Sequence, residues 1–227
     1  MTRNRKKKNI DACIYCGSTN HITKDHIPPR LLFPDPKPSN LITVPCCKTC
    51  NQGFQKDDEY FRNNITSDLN TYENPAARQV LRNVFNSLRR SKARGLRIST
   101  LNSLGEAELV TPSGLFIQKV GTIKIDPNRI ERVVARIVKG LFYHEREHRL
   151  PDDYMCGVFW ERGMRGLPEE MNEIISIVLQ QKASIIVKEV FQYQVAFVGK
   201  NLNYSAWILT FYGAVRFLCM TLTSRNK

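Results

Sequence analysis

Two Cys-x2-Cys pairs, Cys13-Ile14-Tyr15-Cys16 and Cys47-Lys48-Thr49-Cys50, stand near the N-terminus with residues 17–46 between them. That spacing is typical of a four-thiolate zinc site, in which each pair grips one side of a tetrahedron. A single ion would close the whole segment into one small loop. Everything the loop encloses, including Asp25-His26-Ile27-Pro28-Pro29 and Asn40-Leu41, would then lie close to Asn51, which follows the last thiolate. Cys46 is a second candidate for the third ligand, although the two-residue spacing to Cys50 favours Cys47.

The thiols also speak to environment. The chain has seven cysteines, an odd number crowded towards this segment, which argues for a reducing compartment and against a disulfide framework. The first nine residues are charged and lack the apolar run of a secretory leader, and no stretch reaches the ~18 to 20 apolar residues of a membrane span. A cytoplasmic protein with no membrane partner is expected. The formal charge of +13 points to a polyanion as partner, nucleic acid before membrane.

Residues 1–9 read as a basic mobile arm, with Arg3, Arg5, Lys6, Lys7 and Lys8 in a stretch too polar to pack. Residues 10–65 read as the metal unit. Ile22–His26 and Leu41–Val44 are short strands, the proline-rich stretch 28–39 between them is loop, and the pattern turns helical after Cys47. One thiolate pair then precedes the first strand and the other opens the helix.

Within this unit, Asp25 and His26 carry recognisable chemistry. Neutral imidazole is the usual general base near pH 7, and a neighbouring carboxylate is a hard oxygen ligand for a divalent cation. The pair suits phosphodiester hydrolysis, where a base activates water and a metal stabilises charge on the phosphate. Adjacent side chains on a strand point to opposite faces, so both reach one phosphate only if the chain bends, as Pro28-Pro29 would allow.

Asp25-His26-Ile27-Pro28-Pro29, Asn40-Leu41 and Cys47-x2-Cys50-Asn51 together resemble the HNH endonucleases, the ββα-metal nucleases. The resemblance spans residues 13 to about 62 and implies a zinc-bound, treble-clef-like nuclease unit within an α+β protein. It implies that His26 is the general base and that Asn40 holds the His26 loop. It further implies that Asp25 and Asn51 bind the catalytic divalent ion, and that Cys13, Cys16, Cys47 and Cys50 bind structural zinc. Many members carry His where Asn51 stands; an amide oxygen favours Mg²⁺ or Mn²⁺ over zinc at the catalytic position. A metal-dependent endonuclease acting on DNA is expected, with a non-catalytic zinc-containing nucleic-acid-binding protein as the alternative. Asp57, Asp58 and Glu59 read as an exposed acidic turn.

Residues 66–227 are expected to form an α+β domain of unassigned role. Residues 75–92 form a helix on which Arg78, Arg82 and Arg89 share a face, inside a block from Ala76 to Arg97 that has no acidic residue; these arginines are candidate phosphate contacts. A hairpin is expected over 107–125 and a long amphipathic helix from Asp126-Pro127 to Leu150-Pro151. Beyond them lie a short apolar run over 156–160, a helix over 168–181, and two long β runs over 184–198 and 204–223. His144-Glu145-Arg146-Glu147-His148 satisfies the His-Glu-x-x-His pattern of zinc metalloproteases, with Glu161 or Glu169 as a conceivable third ligand. Its charged middle positions and its place at a helix end favour a polar helix terminus instead.

Overall fold

The computed structural model describes residues 12–90, 94–160, 169–199 and 203–224. The arm expected over residues 1–9 lies outside the described residues. The fold is α+β, and its N-terminal part has the anticipated order of strand, loop, strand and helix. Strands β1 (Ile22–Ile27) and β2 (Ile42–Cys47) pair antiparallel, with Asp25 opposite Val44 and His26 opposite Thr43. Helix α1 (Lys48–Thr66) starts directly from β2, and the Cys47 sulfur caps it by accepting the Cys50 N–H at 3.4 Å.

Helix α2 (Pro75–Leu88) opens with a first-turn proline behind Asn74, whose Oδ1 accepts from Ala77 N at 3.0 Å. The Asn74 amide nitrogen donates to the carbonyls of Glu189 and Tyr212, tying this helix to the C-terminal sheet. The helix expected over 75–92 stops at Leu88, where its apolar face ends; residues 91–93 lie outside the described residues, and α3 (Arg94–Ser103) is a separate helix. The hairpin begins earlier than expected, with β3 (Leu104–Val110) paired to β4 (Phe116–Ile123).

Helix α4 (Pro127–Arg146) is the long amphipathic helix, capped by Asp126. It is followed by β5 (Tyr154–Trp160) and α5 (Glu169–Leu179). Each of the two long β runs folds back on itself. They form β6 (Ser184–Val187), β7 (Phe191–Phe197), β8 (Ser205–Phe211) and β9 (Val215–Thr223). The turns use Glu189 at φ 62° and Tyr212 at φ 51°, residue types that give no turn signal in a sequence, with Gly213 at φ 73° completing the second. The sheet order is β5-β9-β8-β7-β6, antiparallel throughout.

Both faces of this sheet are covered, which is why every residue of β8 is buried. Val178 of α5 packs on Ala196, Ala206, Ile208 and Leu218. On the other face, one apolar cluster runs from Ile27, Val44, Phe61 and Ile65 through Ile137 and Leu141 of α4 to Phe211 and Phe217. The core is therefore continuous across residues 65 and 66. Helix α4 approaches β1 closely at Gly140, where an added Cβ would stand 2.5 Å from Ile27 Cγ1.

Candidate metal centre and active site

The four sulfurs of Cys13, Cys16, Cys47 and Cys50 lie within 4.8 Å of one another. Zn–S bonds of ≈ 2.3 Å at tetrahedral angles put sulfurs about 3.8 Å apart, and the Cys16 and Cys47 sulfurs are separated by 3.7 Å. The donors thus suit zinc in both number and geometry. Gly17, at φ 76°, closes the first knuckle by donating its N–H to Cys13 O at 2.8 Å. The Ile14 N–H donates to Pro45 O, clamping this knuckle onto β2. Cys46 packs against Cys13 and donates its thiol to the Cys47 carbonyl, but its sulfur is not among the four that converge, so Cys47 is the third member of the set. Among the described residues, no other group of three or more His, Cys, Asp or Glu side chains is close enough to share an ion.

Strand β1 is regular through both catalytic candidates, so the expected bend does not fall between them. Asp25 is buried, whereas His26 is half-buried and faces the side of Lys24 and Thr43, both exposed. Burial, and then the positive charge of Arg30, hold the His26 imidazole below its ordinary pKa, with Asp25 opposing. Both effects disfavour the protonated ring. Asn40 is exposed in the loop two positions before β2.

Asp25 lies in a polar cluster that the sequence reading missed. Its Oδ2 accepts the Tyr15 hydroxyl at 2.8 Å and lies 3.8 Å from Arg136 Nε, contributed by α4. Arg136 also donates to Asp58 Oδ1 at 2.5 Å and stacks over the Phe54 ring. Asp58 is therefore not part of an exposed acidic turn but a buried ion-pair partner; burial pushes its carboxyl up to about 6, against the pull of Arg136. Asp57 binds Arg129 and Arg132, so the seam between α1 and α4 is ionic. The signal available in sequence was the spacing of Arg129, Arg132 and Arg136 along one face of α4, but nothing local says which carboxylates they meet.

Asn51, in the first turn of α1, donates from Nδ2 to Thr23 Oγ1 at 3.0 Å and to Lys24 O at 3.3 Å. Thr23 and Asp25 share a face of β1, so Asn51 abuts the face that carries Asp25. A carboxylate and an amide are hard oxygen donors that fit Mg²⁺ or Mn²⁺ in kind. Arg136 already stands beside Asp25 Oδ2 and competes for that oxygen.

The His-Glu-x-x-His pattern does not assemble. Helix α4 ends at Arg146, Glu147 is left-handed at φ 63°, and His148 turns to Arg146 O and Asn203 Oδ1. Glu145 accepts the Tyr193 hydroxyl. The structure does not describe Glu161 or the side chain of Glu169. Arg78, Arg82 and Arg89 are all exposed, along one stripe of α2 and its C-cap.

A zinc-ready thiolate cluster, a β hairpin carrying a half-buried histidine and a helix launched from the cluster make up a ββα unit built around a metal site. Residues 13–66 match the family model described as HNH endonuclease, roughly a quarter of the chain. No curated protein and no solved structure matches the chain. No helix among the described residues is long and apolar enough to cross a membrane.

Proposed function

We propose that this protein is a metal-dependent endonuclease that hydrolyses phosphodiester bonds in DNA, with His26 as general base. The observation that carries this reading is His26 itself, half-buried on the β1–β2 hairpin inside the segment that matches the HNH endonuclease family model. Neutral imidazole accepts a proton from water, whose oxygen attacks the phosphorus while the leaving alkoxide departs. By the resemblance, Asn40, exposed just before β2, would steady the loop that follows His26. A divalent ion held by Asp25 and Asn51 would supply charge stabilisation on the phosphate and the leaving oxygen. Because the regular strand β1 directs Asp25 and His26 to opposite faces, the strand would have to bend between them when ion and substrate bind. Arg78, Arg82 and Arg89 would bind phosphates, in keeping with an acid-free block on a chain of charge +13.

Nicking of supercoiled plasmid with Mg²⁺ or Mn²⁺ tests this directly. His26→Ala should slow cleavage by about 10² to 10⁴-fold and leave DNA binding intact. Full activity in that variant would overturn the mechanism, and binding without cleavage by the wild type would favour the non-catalytic alternative.

A further inference from the structure

Helix α2 and its C-cap carry Arg78, Leu81, Arg82, Phe85 and Arg89 at i, i+3, i+4, i+7 and i+11, which places all five on one stripe. The helix buries Ala77, Val80 and Val84 instead, so this stripe is not the core-facing one. It faces the turn after α1. Together they enclose a groove of about 220 Å³, walled by Leu69, Tyr72, Leu81 and Phe85 and rimmed by Arg78 and Arg82. Leu69 is 79% exposed, Tyr72 64% and Phe85 55%, a concentration of open apolar and aromatic surface that calls for an occupant.

The volume corresponds to about seven waters at their share of liquid volume, which suits one planar heterocycle better than a folded partner. Guanidinium groups at the rim complement phosphates on either side of such a ring. Three of the polar side chains of the walls are already engaged. Thr66 donates to Arg62 O, Thr71 donates to Asp68 O, and the Asp68 carboxylate accepts from Asn70 N. What remains is chiefly a stacking surface, with the Ser67 and Tyr72 hydroxyls as the further groups that could meet a base edge.

We propose that this groove holds an unpaired nucleobase, so that the substrate is a nucleic acid with single-stranded or unpaired nucleotides. The proposal rests on the nuclease reading for its link to cleavage, but the binding it describes stands independently of it. Paired bases are stacked inside a duplex and cannot enter a groove of this kind, whereas an unpaired base offers its π-face to Tyr72 or Phe85 whatever its identity. Helix α2 is also fixed relative to the loop that follows His26, because Gln79 donates to Asp35 O at 2.8 Å and Asn83 to Asp35 Oδ2 at 3.3 Å. An anchored base would thus be held in a constant relation to that loop.

The test uses the full chain loaded with zinc, carrying His26→Ala to prevent cleavage and with no Mg²⁺ added. Fluorescence anisotropy measures its affinity for a labelled oligothymidylate and for a blunt duplex of the same length at several salt concentrations. Phe85→Ala and Tyr72→Ala should each weaken single-strand binding roughly five- to a hundredfold with duplex affinity and salt slope unchanged, and Phe85→Trp should retain it. Equal losses on both probes, no loss, or no binding of the single strand would overturn the proposal. Wild-type protein that fails to cut either probe when Mg²⁺ or Mn²⁺ is supplied, while the aromatic dependence persists, would remove the nuclease reading and leave the groove assignment standing.

Discussion

Arg136 reaches from α4 to Asp25 on β1, its Nε 3.8 Å from Asp25 Oδ2, while its Nη2 holds Asp58 of α1 at 2.5 Å. One guanidinium thus serves two buried carboxylates and joins three elements. Despite burial, those carboxylates raise its pKa, so it stays charged. Removing one member of such a group strands the others without a counter-ion. Arg136→Met should therefore lower stability by about 3–5 kcal/mol, seen as a lower urea midpoint, and adding Asp58→Asn should recover part of the loss. A change under about 1 kcal/mol would show that the seam does not depend on this residue.

Asp25 and Asn51 should respond differently to substitution, although both are assigned to the same ion. Asn51→Ala removes a neutral donor whose structural bonds are to Thr23 and a backbone carbonyl. Raised Mn²⁺ should restore much of its cleavage rate. Asp25→Ala also removes the partner of Tyr15 and Arg136, so its melting temperature should fall and added metal should recover less activity. Titrating Mn²⁺ against rate, with a thermal melt of each variant, separates the two; identical rescue with unchanged melts would contradict the distinction.

Zinc should be present at one ion per chain and should be needed for the fold of the N-terminal unit, because a thiolate site of this kind contributes folding free energy outright. Cys47→Ser should lose the ion, whereas Cys46→Ser should keep it, since the Cys46 sulfur is not among the four that converge and its thiol donates to a backbone carbonyl. Metal analysis of the two purified variants decides the point. A folded, chelator-resistant protein without zinc would count against the site.

The acid limb of cleavage should lie below the ordinary histidine range. A general base works in its neutral form, and burial together with Arg30 disfavours the protonated ring. As pH falls, activity should persist through about 6.5, the unperturbed histidine value, and be lost only below it. Arg30→Gln removes the second of these causes, so the midpoint should move upwards. The pH–rate profiles of the two proteins provide the check, and a midpoint unaffected by Arg30→Gln would exclude its charge as a cause.

The local parts of the site were legible in sequence because their signals are local. Cysteine spacing announces a tetrahedral ion without any knowledge of the fold, and Asp25-His26 and Asn40 lie within the loop that such an ion would close, with Asn51 directly after its last thiolate. Strand alternation then separates Asp25 from His26, as it does along any regular strand. The amphipathic period of α4 was equally plain. Tertiary structure decided what residues far apart in the chain do to one another. Arg136 meets Asp25 and Asp58 only because Gly140 lets α4 approach β1, and no periodicity encodes that approach. The folding of each long β run into a hairpin turned on Glu189 and Tyr212 accepting left-handed backbone, a conformation that their residue types do not advertise. His148 lost its place opposite His144 for a similar reason: Glu147 ends the helix in a left-handed cap, and the ring then bonds to Asn203 instead of continuing a helical face. A motif specifies residue types at intervals, but whether their side chains converge depends on where the helix stops, and that is set by the packing around it.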